Sequence, residues 1–238
     1  MKELMIIMDS VRYDVFLETD TPNIDKLGDP VEATTHGSWT RPSVTSMLSG
    51  YLPHSEYGQI WKPSWAMGSP DMLGRETSSW FLNANAWMKD IGPSRFRQKF
   101  YEEQVFQAPH IVRDAEKIMK DNIDYLIVMF LIETHGPYRW GENDGHEEFR
   151  EMQKAYNNGE DNDAPLIAME RSIKSVEALD PLLAPILDLP ERIIITSDHG
   201  DLMGEHHKIG HSPTFPFHYA LLEVPLIIDP EPNTYMEE

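Results

Sequence analysis

The stretch Ile193 to His211 reads I-I-I-T-S-D-H-G-D-L-M-G-E-H-H-K-I-G-H. Three successive isoleucines have the length and composition of a buried strand, and Asp198-His199-Gly200 falls where that strand must end. An acid beside an imidazole at a strand's carboxyl end, with glycine letting the backbone turn, is how α/β proteins present ligands to a metal or a substrate. Taken alone, the triplet is equally a turn with a hydrogen-bonded acid.

Working outward, Leu4 to Met8 reads as a buried first strand closed by Asp9-Ser10, and Tyr125 to Ile132 as the clearest central strand, closed by Glu133-Thr134-His135. Further strands are expected at Val31–Thr35, Thr77–Leu82, Arg95–Phe100 and Val224–Ile228. Thr21-Pro22 opens a short helix through Leu27. After Gly37 to Ser43, Val44–Gly50 reads as another short helix ended by Gly50, which places Thr40 at a helix N-terminus. Pro109–Lys120 has helical spacing. A helix from about Pro165 to Ala178 is expected to break or restart at Asp180-Pro181. Tyr51–Gly74, rich in Pro, Gly, Trp and Ser, reads as a long surface loop or lid in which Tyr57, Trp61 and Trp65 must pack. The polar residues 141–163 read as a mobile excursion. Strands alternating with helices imply an α/β fold, a mostly parallel central sheet with helices on both faces.

The composition narrows the function. A chain of 238 residues suits one domain spanning 1–238, and no internal repeat is visible. Twenty Lys plus Arg against forty Asp plus Glu give a formal charge of -20, which opposes binding to nucleic acid or to an anionic membrane. There is no cysteine, so disulfides and thiolate metal sites are excluded. The opening M-K-E-L-M-I-I-M-D is too short an apolar run for a signal peptide, and Leu126–Ile132 is far below membrane-spanning length. A cytoplasmic protein is expected, with a small-molecule substrate, no nucleic acid and no membrane as partners, and with a homo-oligomer left open.

Four polar clusters follow apolar segments: Asp9-Ser10, Thr40, His135 and Asp198-His199. In a parallel sheet the carboxyl ends lie along one edge, so the clusters can converge in one cleft. Two carboxylates and an imidazole suit a divalent metal such as Zn or Mn, and a threonine hydroxyl bound to it loses its proton more readily. The helix N-terminus at Thr40 favours a tetrahedral anion. Each element has a plainer reading: Thr40 as an N-cap, His135 as a loop-packing histidine, Glu205-His206-His207-Lys208 as a solvated face, Arg12 and Asp14 as structural ion-pair partners, Trp39 as core.

Together these residues resemble the alkaline phosphatase superfamily, in its sulfatase and phosphonate monoester hydrolase branch. Asp9-Ser10-Val11-Arg12-Tyr13-Asp14 and Thr21-Pro22-Asn23-Ile24-Asp25-Lys26-Leu27 resemble its opening D-x-x-R-x-D and T-P-N-I-D-x-L. Thr40-Arg41-Pro42-Ser43 resembles the nucleophile motif C/S/T-x-P-S. Thr134-His135-Gly136-Pro137-Tyr138 resembles its H-x-P-Y loop. Thr196 to Gly200 with Gly204-Glu205-His206 resembles T-S-D-H-G-x-x-x-G-E-H, and Val224–Ile228 matches the V-P-L-I-I strand that follows. The resemblance implies a divalent-metal shell of Asp9, Thr40, Asp198 and His199, with one or two ions, and Thr40 as attacking group. His135 and His211 would contact the ester or its leaving group, or bind a second metal. Arg41 and Lys208 are the cations expected to bind substrate.

The departures shape the expected function. Thr40 cannot readily become the formylglycine of sulfatases, Ser10 replaces the second acid of the usual Asp-Asp pair, and Val44 stands where the sulfatase motif has Arg. The chain stops soon after Val224–Ile228, so the C-terminal subdomain of many relatives is expected to be reduced or absent. The expected activity is metal-dependent hydrolysis of phosphate esters, a phosphodiester or phosphonate ester first, through a Thr40 covalent intermediate. The alternatives are a sulfatase-like sulfuric ester hydrolase and a catalytically silent metal- or anion-binding module.

Overall fold

Strand β1 (Lys2–Met8) shows how the sheet is built. Leu4, Ile6 and Met8 enter one core cluster, while Ile7, with Met5 against it, enters another, as the two-residue period of a strand buried on both faces requires. The computed structural model describes residues 2–50, 52, 78–89, 96–101, 106–141 and 145–230. Apart from Leu52, the expected loop Tyr51–Gly74 with Tyr57, Trp61 and Trp65 lies outside the described residues, as do Thr77 and Arg95.

After β1 come the short helix α1 (Tyr13–Phe16), a 3-10 turn (Ile24–Leu27), strand β2 (Val31–Thr34) and helix α2 (Thr40–Ser49). Then follow β3 (Ser79–Asn83), β4 (Arg97–Phe100), α3 (Ala108–Asp121), β5 (Tyr125–Leu131), α4 (His146–Asn157), α5 (Ala164–Leu187) and β6 (Arg192–Ser197). A small hairpin of β7 (Leu202–Met203) and β8 (Ile209–Gly210) precedes the last strand, β9 (Glu223–Asp229).

The main sheet has seven strands in the order β2-β9-β6-β1-β5-β3-β4. The pairs β6–β1, β1–β5, β5–β3 and β3–β4 are parallel, whereas β9 runs antiparallel to both β6 and β2. The sheet is thus mostly parallel, with the V-P-L-I-I strand as its reversed member. On one face lies a core of Leu4, Ile6, Ile127, Met129 and residues of α3 and α5; on the other, Val44 and Leu48 of α2 pack on Ile7, Phe81, Val128 and Phe130. Helices therefore cover both faces. In α3 the buried Ala108, Ile111, Ala115 and Met119 recur at helical spacing, and a first-turn proline costs no hydrogen bond there.

Two expectations are corrected. Helix α5 does not break at Asp180-Pro181 but runs on to Leu187 with Pro181 and Pro185 inside it. Val176 and Leu179 before the prolines, Leu183 between them, and Ile186 and Leu187 after them enter the same core cluster. Burying five such side chains contributes about 1.5–3 kcal/mol each, more than two interior prolines cost at about 3 kcal/mol or more each. Buried Asp180 also pins the helix: its carboxylate accepts from Ile24 N at 2.9 Å, Asn23 N at 3.0 Å and Asn23 Nδ2 at 2.6 Å. Secondly, the polar stretch 141–163 contains α4, which buries Phe149 and Tyr156, with Met152 between them, against Tyr138, Ala164, Ala168, Met203 and Ile209. Three apolar residues on one stripe suffice to dock a helix whose other faces are solvated.

Candidate active site

The carboxyl ends of β1, β6 and β5 lie side by side, and the chain leaves each one with polar residues. Asp9 follows β1 and is fully buried. Asp198 and His199 follow β6 on the neighbouring strand and are equally buried. Ser10 joins the two ends: its N–H donates to Asp198 Oδ1 at 3.0 Å and its hydroxyl to Asp9 Oδ1 at 2.8 Å. To do so it takes a left-handed backbone, φ 66°, uncommon for a residue with a side chain. Asn85, just beyond β3, donates to Asp9 Oδ2 at 3.1 Å.

Thr40 is the first residue of α2, after an extended Trp39, and its Oγ1 lies 3.2 Å from His199 Nε2. One turn on, the Ser43 hydroxyl donates to the Asp198 carbonyl, fastening α2 to the end of β6. Gly200 is required here, because a Cβ would collide with the Ala220 carbonyl and lie 2.9 Å from Arg12 Cγ. Arg12 bonds Asp14 at 2.6 Å and Glu205 at 2.7 Å, so its structural reading holds. Trp39 is half-buried rather than core.

The electrostatics favour a cation. His199 Nδ1 faces the Gly200 carbonyl at 2.9 Å, which can only accept, so the proton sits on Nδ1 and Nε2 presents a lone pair. That lone pair lies 3.4 Å from Asp198 Oδ2 and 3.7 Å from Asp9 Oδ1. Burial, and then the nearby His211, hold His199 well below the usual imidazole range. Burial, and then the charge of Asp9, push the Asp198 carboxyl well above the carboxylate range. Asp198 Oδ2 is buried with no hydrogen-bond partner. Acceptors crowding together with one left unsatisfied fit a divalent ion, and the O, O, N set plus a hydroxyl suits Zn or Mn.

A second group adjoins the first. His211 Nδ1 lies 2.7 Å from Asp201 Oδ1, and the His211 ring meets His199 edge-on at 4.1 Å and His135 at 5.0 Å between centroids. Burial acts to lower His211, but Asp201 outweighs it and raises the imidazole above its ordinary range. Asp9, Asp198 and His199 form one group able to hold an ion; His199, Asp201 and His211 form another.

The structure thus brings Asp9, Thr40, Asp198, His199, His211 and His135 together. Arg41 follows Thr40 in α2 and is half-buried. Lys208 stands apart in its contacts, donating to the Asn157 carbonyl at 2.6 Å. His207 stacks on Tyr156 at 4.0 Å, and His206 is exposed. Asp201 and Asn85 were not anticipated. Asp201 adjoins Gly200 in the deciding stretch, and Asn83-Ala84-Asn85 closes β3 as Asp9-Ser10 closes β1, so the pattern of polar residues after apolar strands covers both.

The seven-stranded sheet with helices on both faces is an alkaline-phosphatase-like α/β fold. Among solved structures, the chain is similar to the C-terminal periplasmic domain of EptC from Escherichia coli in complex with Zn, with TM-score 0.64, 16% identity, and coverage of 95% of this chain and 72% of that one. It is similar to the phosphonate monoester hydrolase of Agrobacterium radiobacter, with TM-score 0.65, 13% identity, and coverage of 95% and 67%. A 2-O GAG sulfatase gives TM-score 0.60 at 15% identity, covering 95% and 63%. Among curated proteins, the low-salt glycan biosynthesis sulfotransferase Agl7 of Haloferax volcanii is 26% identical over 239 residues, 93% of this chain. The chain spans about half of that protein's length, 52%. No family model matches the chain.

Proposed function

We propose that this chain acts on small phosphorus esters, a phosphodiester or phosphonate ester before a simple monoester, through a covalent intermediate on Thr40. One observation carries the reading: Thr40 Oγ1, at the start of α2, lies 3.2 Å from His199 Nε2 in the buried cluster that also holds Asp9 and Asp198. A divalent ion held by Asp9, Asp198, His199 and Thr40 would supply the positive charge that acidifies a hydroxyl and offsets charge on a transferring phosphoryl group. Thr40 Oγ1, its proton released to solvent, forms the new O–P bond as the bond from phosphorus to the leaving alcohol breaks on the opposite side. A protonated His211 gives a proton to that alcohol, and His135 stands beside it against the ester. Arg41 adds positive charge next to the nucleophile, whereas Lys208 would first have to leave the Asn157 carbonyl. Water then attacks phosphorus, the Thr40 Oγ1–P bond breaks, and the product acid and the threonine hydroxyl are freed. A second reading, release to an acceptor alcohol, is favoured by the likeness to phosphoethanolamine transferase domains.

The test is a panel of p-nitrophenyl phosphate, bis(p-nitrophenyl) phosphate, p-nitrophenyl phenylphosphonate and p-nitrophenyl sulfate with Zn- or Mn-loaded protein. The diester or phosphonate should turn over fastest, Thr40→Ala should abolish turnover, and quenched protein should carry a phosphoryl group on Thr40 by mass spectrometry. Added glycerol separates the two fates, giving glycerol phosphoester on transfer and free acid on hydrolysis. Sulfate turnover that survives Thr40→Ala would overturn the mechanism. Stoichiometric metal without turnover of any ester would leave the silent binding module.

A further inference from the structure

We infer that Asp201 is the positioning residue of this site, holding the His211 Nδ1–H so that Nε2 is the nitrogen that takes up a proton and, as the imidazolium, gives it to the leaving group. The inference rests on the reading above, in which His211 supplies the departing alcohol's proton. Asp201 is buried, and both of its oxygens are engaged: Oδ1 faces His211 Nδ1 at 2.7 Å, and Oδ2 accepts from the Tyr138 hydroxyl at 2.8 Å. A carboxylate can only accept, so the proton of a neutral His211 sits on Nδ1. Ser10 Oγ stands 3.5 Å from the same nitrogen, but its proton is directed to Asp9 at 2.8 Å, so it does not compete as a donor. His211 Nε2 has no hydrogen-bond partner among the described residues.

The surroundings hold this pair rigidly. Tyr138 is fully buried with a left-handed backbone, φ 55°, and Arg171 clamps that strained turn through the Pro137 and Tyr138 carbonyls, both at 2.9 Å. Arg12 Nη1 donates to the Asp201 carbonyl at 3.3 Å, and Gly200 beside it is locked under Ala220. Both Asp201 oxygens are thus engaged by donors on the protein, although His199, Asp201 and His211 lie close enough to hold an ion. The geometry assigns it to orienting His211.

Asp201→Asn gives a test that simple unfolding cannot imitate. The carboxylate serves two donors, whereas an amide keeps one acceptor oxygen. With Tyr138 O–H retaining that oxygen, the amide N–H faces His211 Nδ1 and forces the proton to Nε2. Nitrogen-15 NMR of the metal-free chain, above the titration of His211, should show a protonated Nδ1 in the wild type and a protonated Nε2 in Asp201→Asn. Adding Tyr138→Phe frees the oxygen and should restore the wild-type tautomer.

Kinetics of the metal-loaded protein give the second readout. Turnover of an alkyl ester, whose leaving group needs a proton, should fall by about 10²-fold or more in Asp201→Asn, within the range of general-acid contributions. Turnover of the matching p-nitrophenyl ester, which leaves without one, should fall less than tenfold, and the double variant should regain part of the alkyl-ester loss. An Nε2-protonated wild type, or equal losses on both esters with the tautomer unchanged, would overturn the inference. The NMR result decides the positioning role even if no ester is turned over, so the two readings fail separately.

Discussion

Replacing Asp198 with asparagine should stabilise the metal-free protein while destroying its response to metal. Asp198 Oδ1 accepts from Ser10 N at 3.0 Å and His199 N at 2.9 Å, and an amide oxygen keeps both bonds. Oδ2 is buried without a partner and faces the His199 Nε2 lone pair at 3.4 Å. An N–H in its place turns a repulsive contact into a hydrogen bond, worth about 1 kcal/mol net, and removes an unsatisfied buried acceptor that costs about 1–3 kcal/mol. A gain of roughly 2 kcal/mol corresponds to about 4–8 °C in Tm for a chain of this size. The gap should widen with pH: the Asp198 carboxyl is raised above its ordinary 3.8, so its contribution is present below 3.8 and lost as pH rises through the folded-state value. Zinc at about 100 times its Kd should add roughly 2.7 kcal/mol to the wild type and nothing comparable to the variant. Thermal unfolding with EDTA and with zinc measures all three. A metal-free variant that melts below the wild type, or a zinc response that survives the substitution, refutes this account of the cluster.

Glu133 offers a pH test away from these carboxylates. Burial holds its carboxyl above the ordinary 4.5, although the Gln107 and Ala108 amides donate to it at 2.7 and 2.6 Å, so its stabilising contribution is lost as pH rises through the folded-state value. Glu133→Gln should therefore gain on the wild type between pH 5 and 8 in urea titrations, on the order of 1 kcal/mol, and an equal or shrinking gap would contradict this. Gly200→Ala should cost about 1–3 kcal/mol by overpacking, more if the Ala220 strap detaches, and wild-type stability in the same titration would show that the strap yields freely.

Much of this could be read from residue order because the signals were local. The continuous apolar runs of β1, β5 and β6 admit one reading, and a parallel sheet then puts Asp9, His135 and Asp198 on one edge however far apart they lie in the chain. The end of helix α2 is equally legible, since Gly50 takes the left-handed C-terminal conformation at φ 73°, whereas its start lies at Thr40, four residues before the expected Val44. What escaped depends on tertiary partners. The prolines of α5 were read as a break because the core that holds the helix together comes from β-strands and α3. The reversal of β9 follows from its pairing with β6 and β2, which V-P-L-I-I does not encode. Asp201 escaped because its role needs Tyr138 and His211, both brought to it only by folding.

The left-handed turn at Ser10 has one more consequence. Its two hydrogen bonds hold the carboxylates of Asp9 and Asp198 at a set spacing before any ion arrives, and Asn85 fixes the remaining oxygen of Asp9. The entropy of ordering those ligands is lost during folding rather than on binding. Ser10→Gly would relieve the backbone and keep the N–H to Asp198, yet lose the hydroxyl that holds Asp9, so a substitution that relaxes the chain would slacken its grip on the ion.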